Sequence, residues 1–359
     1  MKIFKATRKY EKWLRKELSV VEENLILKQE KLKEDRLTFL RGTYYRWMQL
    51  FPELCKKAAD APVVLSVGDL HAANFGTWRD AKGQLVWGVN DFDEAAPLPY
   101  TQDLIRLAVS VELASEVEEL KIGLDAACEA ILDGYRACLE SNGKPIILDD
   151  EHDWLRQIYI WNEKVAEKFW DKLDQLPDIG LEVPAEARIA LEATFPAKDL
   201  AYRVKRRQAG VGSLGRPRYT ALTEWQGERI ARETKPLLPS AALWTEKKHK
   251  GAEIYYEEIL ARAVRSLDPV VKVYSGWVVR RLAPDSVRIE LAELRPERDE
   301  KRMLHTMGWE TGNIHLGTPN AVQDVLNDLN VRKNDWLKKS AIKMTKATVK
   351  DWELWKNKT

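Results

Sequence analysis

The chain has 359 residues, more than one small core needs and enough for two lobes of ordinary domain size. Hydrophobic residues make up 45% and charged residues 32%, a composition that excludes a disordered chain. With 58 basic and 56 acidic side chains the formal charge is +2, which gives no global case for nucleic acid or an acidic membrane surface. Met1 to Tyr10 is basic but lacks an apolar h-region, so no signal peptide is expected. No segment has the apolar length of a spanning helix. Three cysteines, Cys55, Cys128 and Cys138, have no metal-ligand spacing and read as reduced core thiols of a cytosolic protein. The 14 tryptophans include Trp154, Trp161 and Trp170 in one helical segment, where they read as core anchors.

In chain order, residues 8–57 read as helix, with Leu14, Leu18, Val21 and Leu25 and then Phe39, Tyr44, Trp47 and Leu50 at helical spacing. Pro62 opens a buried strand, Val63–Val67, which runs into Gly68-Asp69-Leu70-His71-Ala72-Ala73-Asn74-Phe75-Gly76. A second strand, Leu85–Val89, leads into Asn90-Asp91-Phe92-Asp93-Glu94, and the turn at Asp80–Gly83 suggests that the two strands form a hairpin. Residues 101–195 read as helical, with breaks at Glu140–Pro145 and Leu176–Asp178. From about residue 200 the texture turns to strands, near Tyr219–Glu224, Val270–Tyr274, Trp277–Leu282 and Val287–Leu291. Between them a helix over Glu246–Leu267 shows an apolar stripe at Ala252, Tyr256, Ile259, Ala263 and Leu267. The segment Asp324–Trp355 is helical and mostly basic.

The first group of chemically loaded residues is Asp69-x-x-x-x-Asn74 at one strand end and Asp91 at the next. A kinase-type catalytic loop uses a carboxylate to orient and deprotonate the attacking hydroxyl. It uses an amide oxygen five positions on, and a further carboxylate, to hold the metals that bridge the phosphates. Asp69 is therefore the candidate base, and Asn74 and Asp91 the candidate ligands of Mg²⁺ or Mn²⁺. Any one of them alone would read as loop capping; three in order at strand ends point to chemistry. Asp91-Phe92-Asp93 is similar to Asp-Phe-Gly, with Asp93 in the place of glycine. The loop as a whole looks like the His-Gly-Asp-x-His-x-x-Asn loop of aminoglycoside phosphotransferases and choline kinases, except that Val67 replaces the leading histidine. His71 then reads as a loop brace. Asp103 resembles the buried aspartate of the following helix in those kinases, and it equally suits a helix N-terminus favoured by the dipole.

The second group is Gly210-x-Gly212-Ser213-x-Gly215, a candidate phosphate cradle because backbone N–H groups can approach a ligand where no side chain intervenes. A strand-like segment follows it, so a hairpin fits better than the strand–turn–helix of a dinucleotide site. Lys235, twenty positions beyond Gly215 and placed just before a helix, is the candidate phosphate clamp, with Arg41 or Arg218 as substitutes. Its helix partner is open among Glu253, Glu257 and Glu258. Lys247-Lys248-His249-Lys250 and Lys338-Lys339 read as solvated faces, and His305 and His315 are too sparse for a metal site. The two groups stand in reverse order relative to ordinary kinases, as a circular permutation would produce.

The chain resembles the bacterial family called domain of unknown function 2252. The matching blocks are Phe39-Leu40-Arg41-Gly42, Gly68–Gly76, Asn90–Glu94 and Gly210–Arg216, with a weaker one at Val279–Leu282. The resemblance spans most of residues 36–318, and that family is grouped with protein-kinase-like folds. Members tend to show Lys-Glu-Ala where this chain has Lys235-Pro236-Leu237. Arg41, in the first block, is a candidate to reach phosphates or acceptor. The expected fold is α+β and two-lobed, kinase-like and circularly permuted. Residues 1–199 would form the helical part with both acidic loops, 200–292 the β-rich nucleotide lobe, and 293–359 helices completing the large lobe. The expected activity is ATP- and Mg²⁺-dependent phosphoryl transfer to a small-molecule hydroxyl, in the cytoplasm. Nucleotidyl transfer on the same scaffold, or a nucleotide-binding module acting through a protein partner, are the alternatives.

Overall fold

The computed structural model describes residues 2–118, 120–149, 152–158, 163–180, 182–247, 251–287 and 298–357. The N-terminal part holds α1 (Ile3–Glu17), α2 (Glu22–Lys31), α3 (Arg36–Gly42), α4 (Tyr44–Leu54) and α5 (Lys56–Ala59). Next come β1 (Val63–Ser66), β2 (Phe75–Arg79), β3 (Leu85–Val89) and β4 (Ala96–Pro99), then α6 (Tyr100–Glu118), α7 (Leu124–Ser141) and β5 (Ile146–Ile147). Helices α8 (Asp153–Ile158), α9 (Glu163–Asp174) and α10 (Ala185–Glu192) lead into β6 (Arg203–Arg206), β7 (Tyr219–Trp225) and β8 (Glu228–Pro236). The remainder is α11 (Ala241–Thr245), α12 (Tyr256–Arg262), β9 (Lys272–Tyr274), β10 (Trp277–Leu282), α13 (Arg298–His315), α14 (Pro319–Val331) and α15 (Trp336–Lys356). This is a mixed α+β chain with several small sheets.

The helical N-terminus is interrupted where its periodicity fails. In α1 the buried residues Ile3, Ala6, Tyr10, Trp13 and Leu14 make one stripe. Asp35 restarts the chain as the cap of α3, accepting from the Thr38 amide at 2.7 Å. Helix α6 differs in kind. Residues 101–111 are buried on every side, so it runs through the main core and brings polar side chains with it. The main apolar cluster draws on α1, α4, α6, α7, α13 and α15. A second cluster, with Ala187, Ala190 and Leu191 of α10 against Val204, Tyr219, Ala221 and Val279, lies under the sheet β6-β7-β8-β10-β9.

Four expectations need correction. The hairpin partner of β3 is β2, not the strand at 63–67: Phe75 pairs with Val89 and Arg79 with Leu85, while β1 pairs with β4. The Asp80 side chain closes that turn by accepting from the amides of Lys82 and Gln84, both at 2.9 Å. Lys235 lies within β8, opposite Val278 of β10, and not just before a helix; Pro236 is the last residue of the strand. The helix expected at 246–267 is not continuous: among the described residues of that segment only the seven-residue α12 forms, α11 having ended at Thr245, and Lys248–Lys250 lie outside the described residues. The long helix at 8–57 is likewise five pieces. Trp161 and the strand expected at 287–291, beyond Val287, also lie outside the described residues. All three cysteines are buried and free. No helix among the described residues is long and apolar enough to cross a membrane.

Candidate functional site

Register builds the site. Because Phe75 pairs with Val89, the residues just before β2 and just after β3 emerge side by side, and the Asn90 amide donates to the Asn74 carbonyl at 3.0 Å. The loop 67–74 and the loop 90–94 therefore leave the same end of the hairpin. Gly68 permits their contact: its φ is +85°, and a side chain there would strike the Glu94 carbonyl.

One face of α6 grips the first loop. Asp103 accepts from the amides of Val67 at 2.7 Å and Gly68 at 3.0 Å. One turn on, Arg106 donates from Nε to Asp69 at 2.7 Å and from its η nitrogen to the Leu40 carbonyl at 2.9 Å. A further turn brings Ser110 Oγ, which accepts from the Ala72 amide at 2.9 Å. Asp103 also meets His315 Nε2 at 3.1 Å, and His315 Nδ1 meets the Tyr135 hydroxyl at 2.8 Å. The brace that Val67 cannot supply as a side chain thus comes from α6 and α13. Asp103 serves as an acceptor for buried backbone donors, more than a favourable charge at a helix N-terminus. Arg106 was not foreseen, although polar residues at i, i+3 and i+7 on an otherwise apolar helix are a visible signal.

Arg106 stacks over Tyr44 and Trp47, 5.0 and 4.9 Å from their ring centroids, which fixes its guanidinium. Burial pushes the Asp69 carboxyl up to about 6, although Arg106 pulls the other way by favouring the ionised form. Asn74 donates its amide nitrogen to the Asp69 carbonyl at 2.8 Å, so the oxygen Oδ1 is the atom left to serve a cation. His71 is buried, and its carbonyl accepts from the Asn74 amide at 2.8 Å.

Asp91 and Asp93 share Lys235, whose Nζ lies 3.3 Å from Asp91 and 2.6 Å from Asp93. Burial alone would raise the Asp91 carboxyl, but Lys235 and Arg280 outweigh it and hold the group well below the usual carboxylate range. Asp93 Oδ1 is buried with no hydrogen-bond partner, an orphaned acceptor beside Asp91 that suits a cation. Among the described residues no group of three or more His, Cys, Asp and Glu could hold a metal ion by itself. Asn74 Oδ1, Asp91 and the orphaned Asp93 Oδ1 are oxygen donors of the kind Mg²⁺ takes, and they could supply part of its coordination.

The glycine loop joins β6 to β7 and lies over Asp69. A Cβ on Gly212 would stand 3.2 Å from the Arg41 carbonyl and 3.8 Å from Asp69 Oδ2. Lys28 of α2 donates to the Gly212 carbonyl at 2.7 Å, and Arg218 donates to Ser213 Oγ at 2.7 Å. Gly210 has φ +70° and Gly215 φ +102°. Arg41 lines both the narrow space under this loop and the wider cleft of about 550 Å³ that opens from it. Glu257 lines the wider cleft, Glu258 pairs with Arg262 at 2.8 Å, and Glu253 is exposed. None of these three partners Lys235, as had been expected of one of them. Aspartates on the adjacent loop have taken that place.

Two more acidic groups were not assigned from the sequence. Glu94 accepts from the Ala241 amide at 2.6 Å, and burial pushes its carboxyl up to about 7. Glu233, two residues before Lys235 on the same face of β8, is fully buried among Arg207, Arg218 and Arg280.

No curated protein and no solved structure gives a significant match to this chain. The family model described as "uncharacterized protein conserved in bacteria" matches residues 20–168 and 161–358, so the chain belongs to the family domain of unknown function 2252.

Proposed function

We propose that this chain is a kinase-like, circularly permuted phosphotransferase that moves the γ-phosphoryl group of ATP to a small-molecule hydroxyl. The observation that supports this most is the meeting of Gly212 with Asp69, 143 positions apart in sequence, over a cleft that also contains Asn74 and Asp91. The small sheet adds to it: the glycine loop joins its first two strands in sequence and Lys235 sits on the third, the order used by the protein-kinase nucleotide lobe. Fold alone does not fix a reaction, so the reading rests on these side chains.

In this mechanism Arg106 and the Asn74 amide hold Asp69 in place. Asp69 takes the proton of the acceptor hydroxyl as that oxygen bonds to the γ-phosphorus. The bond to the β,γ-bridging oxygen breaks, and ADP leaves with the electron pair. A carboxyl with a pKa near 6 is well suited to accept a proton near neutral pH. Asn74, Asp91 and Asp93 would hold magnesium, which when bound neutralises charge between phosphate oxygens. The glycine loop supplies backbone donors.

ATP labelled at either the α- or the γ-phosphate tests the reading. Transfer of γ-label to an acceptor in a cell-extract small-molecule fraction, abolished in Asp69→Asn, is the expected result. Transfer of α-label would establish nucleotidyl transfer instead. Tight ATP binding with neither label moving would favour a binding module.

A further inference from the structure

Lys235 is poorly placed to clamp phosphate. Its side chain is 2% exposed and is already paired with two carboxylates, Asp93 at 2.6 Å and Asp91 at 3.3 Å. A phosphate oxygen would have to displace one of them. The positive charge that faces the cleft lies elsewhere, on the same sheet face.

Glu233 Oε2 meets Arg207 at 2.6 Å, and Glu233 Oε1 meets both Arg218 and, at 3.4 Å, Arg280. All three arginines line the 550 Å³ cleft. Arg280 also faces Asp91; counted together, Arg207, Arg218, Arg280 and Lys235 outnumber Glu233, Asp91 and Asp93 by one, so the cluster presents surplus cationic charge in a partly dry environment, where an anion is attracted strongly. The cluster also bridges the two walls of the cleft. Arg218 donates to Ser213 of the glycine loop at 2.7 Å, and Arg280 donates to the Asn90 carbonyl, beside Asp91, at 3.3 Å. Glu233 holds the three forks in position, so little side-chain entropy is lost when a ligand binds. Planar guanidinium forks match phosphate oxygens in pairs, which an ammonium cannot do.

We propose that Glu233, Arg207, Arg218 and Arg280 form the polyphosphate platform of this cleft, and that Lys235 instead orders Asp91 and Asp93. The ligand class is a linear di- or triphosphate lying between the glycine loop and the Asp91 loop. The assignment of that chain to a nucleotide rests on the phosphotransferase reading above; the anion site itself does not.

Calorimetric titration with inorganic tripolyphosphate, and separately with Mg-ATP, tests the platform on the full chain. Wild type should bind tripolyphosphate, and Arg280→Gln and Arg218→Gln should each weaken it by roughly 10- to 100-fold, the loss of one charge-assisted pair. Arg280→Lys keeps the charge and is the safer variant for folding. It should still lose several-fold, because the fork is gone. No binding of tripolyphosphate by wild type, or unchanged affinity in folded Arg280→Lys and Arg218→Gln, overturns the platform. If tripolyphosphate binds as expected and ATP does not, the platform stands and the nucleotide reading falls. If ATP is turned over but the arginine variants bind and react as wild type, the reading stands and the platform falls.

Discussion

Asp103→Asn distinguishes a brace from a helix-dipole residue by magnitude. Asp103 is completely buried and accepts from two buried amides, Val67 at 2.7 Å and Gly68 at 3.0 Å, as well as facing His315. Hydrogen bonds to a charged group contribute about 1.5–3 kcal/mol each. Asparagine has one side-chain oxygen, so it can serve one amide and must turn its own NH₂ toward the other. The expected loss is about 3 kcal/mol, from one bond removed and one weakened. A carboxylate that only complements the helix dipole contributes about 0.3–1 kcal/mol. Urea unfolding of Asp103→Asn and of a control, Asp125→Asn in the exposed first turn of α7, measures the difference. Amide exchange at Val67 and Gly68 adds a local readout, since both amides should open more often in Asp103→Asn and not in the control. Equal, sub-kilocalorie losses in the two variants with unchanged exchange would refute the brace, and with it the account of how α6 positions Asp69.

Other expectations concern the site itself. Asp69→Asn should lower turnover by roughly 10²–10⁴-fold while Mg-ATP affinity stays within a few-fold, and a comparable loss of affinity would count against its role as base. With the Asp69 carboxyl raised by burial to about 6, the base is protonated below that pH; turnover should climb as pH rises through about 6 and level off above 7. A flat profile between pH 5 and 7.5 would disprove this. Lys235→Ala removes the cation shared by Asp91 and Asp93, but Asp91 is partly exposed and Asp93 keeps Arg216 at 3.5 Å, so the expected destabilisation is about 1–3 kcal/mol by denaturant unfolding, with added Mg²⁺ restoring part of it. Gly215→Ala should also be destabilising, by about 1–3 kcal/mol, since φ there is +102° and the new methyl would run into Leu25; wild-type stability would show that the loop yields.

The acidic loops were legible because their signal is local. Asp69 and Asn74 are five residues apart at a strand end, and Asp91 follows a second strand, so turn chemistry and spacing suffice. The glycine loop was legible for the same reason, and its hairpin setting followed from the strand after it. Misreadings came where short-range signals were ambiguous. The strand Phe75–Arg79 begins inside the Gly68–Gly76 loop motif, and the alternation in 228–236 is broken by Glu233 and Lys235, charged residues that proved to be buried in ion pairs.

What the sequence determined by itself is local: which side chains carry charge or hydrogen-bonding groups, where glycine leaves the backbone bare, and which loops present them. Only the tertiary structure decided who meets whom. Lys235 finds Asp91 across 144 positions, His315 reaches Asp103 across 212, and Arg106 reaches Asp69 across 37. Propensity and turn preference act over a few residues. Ion pairing in a buried site depends instead on which helices and strands the apolar core brings together, and several lysines and glutamates along the chain were equally good partners until packing chose among them.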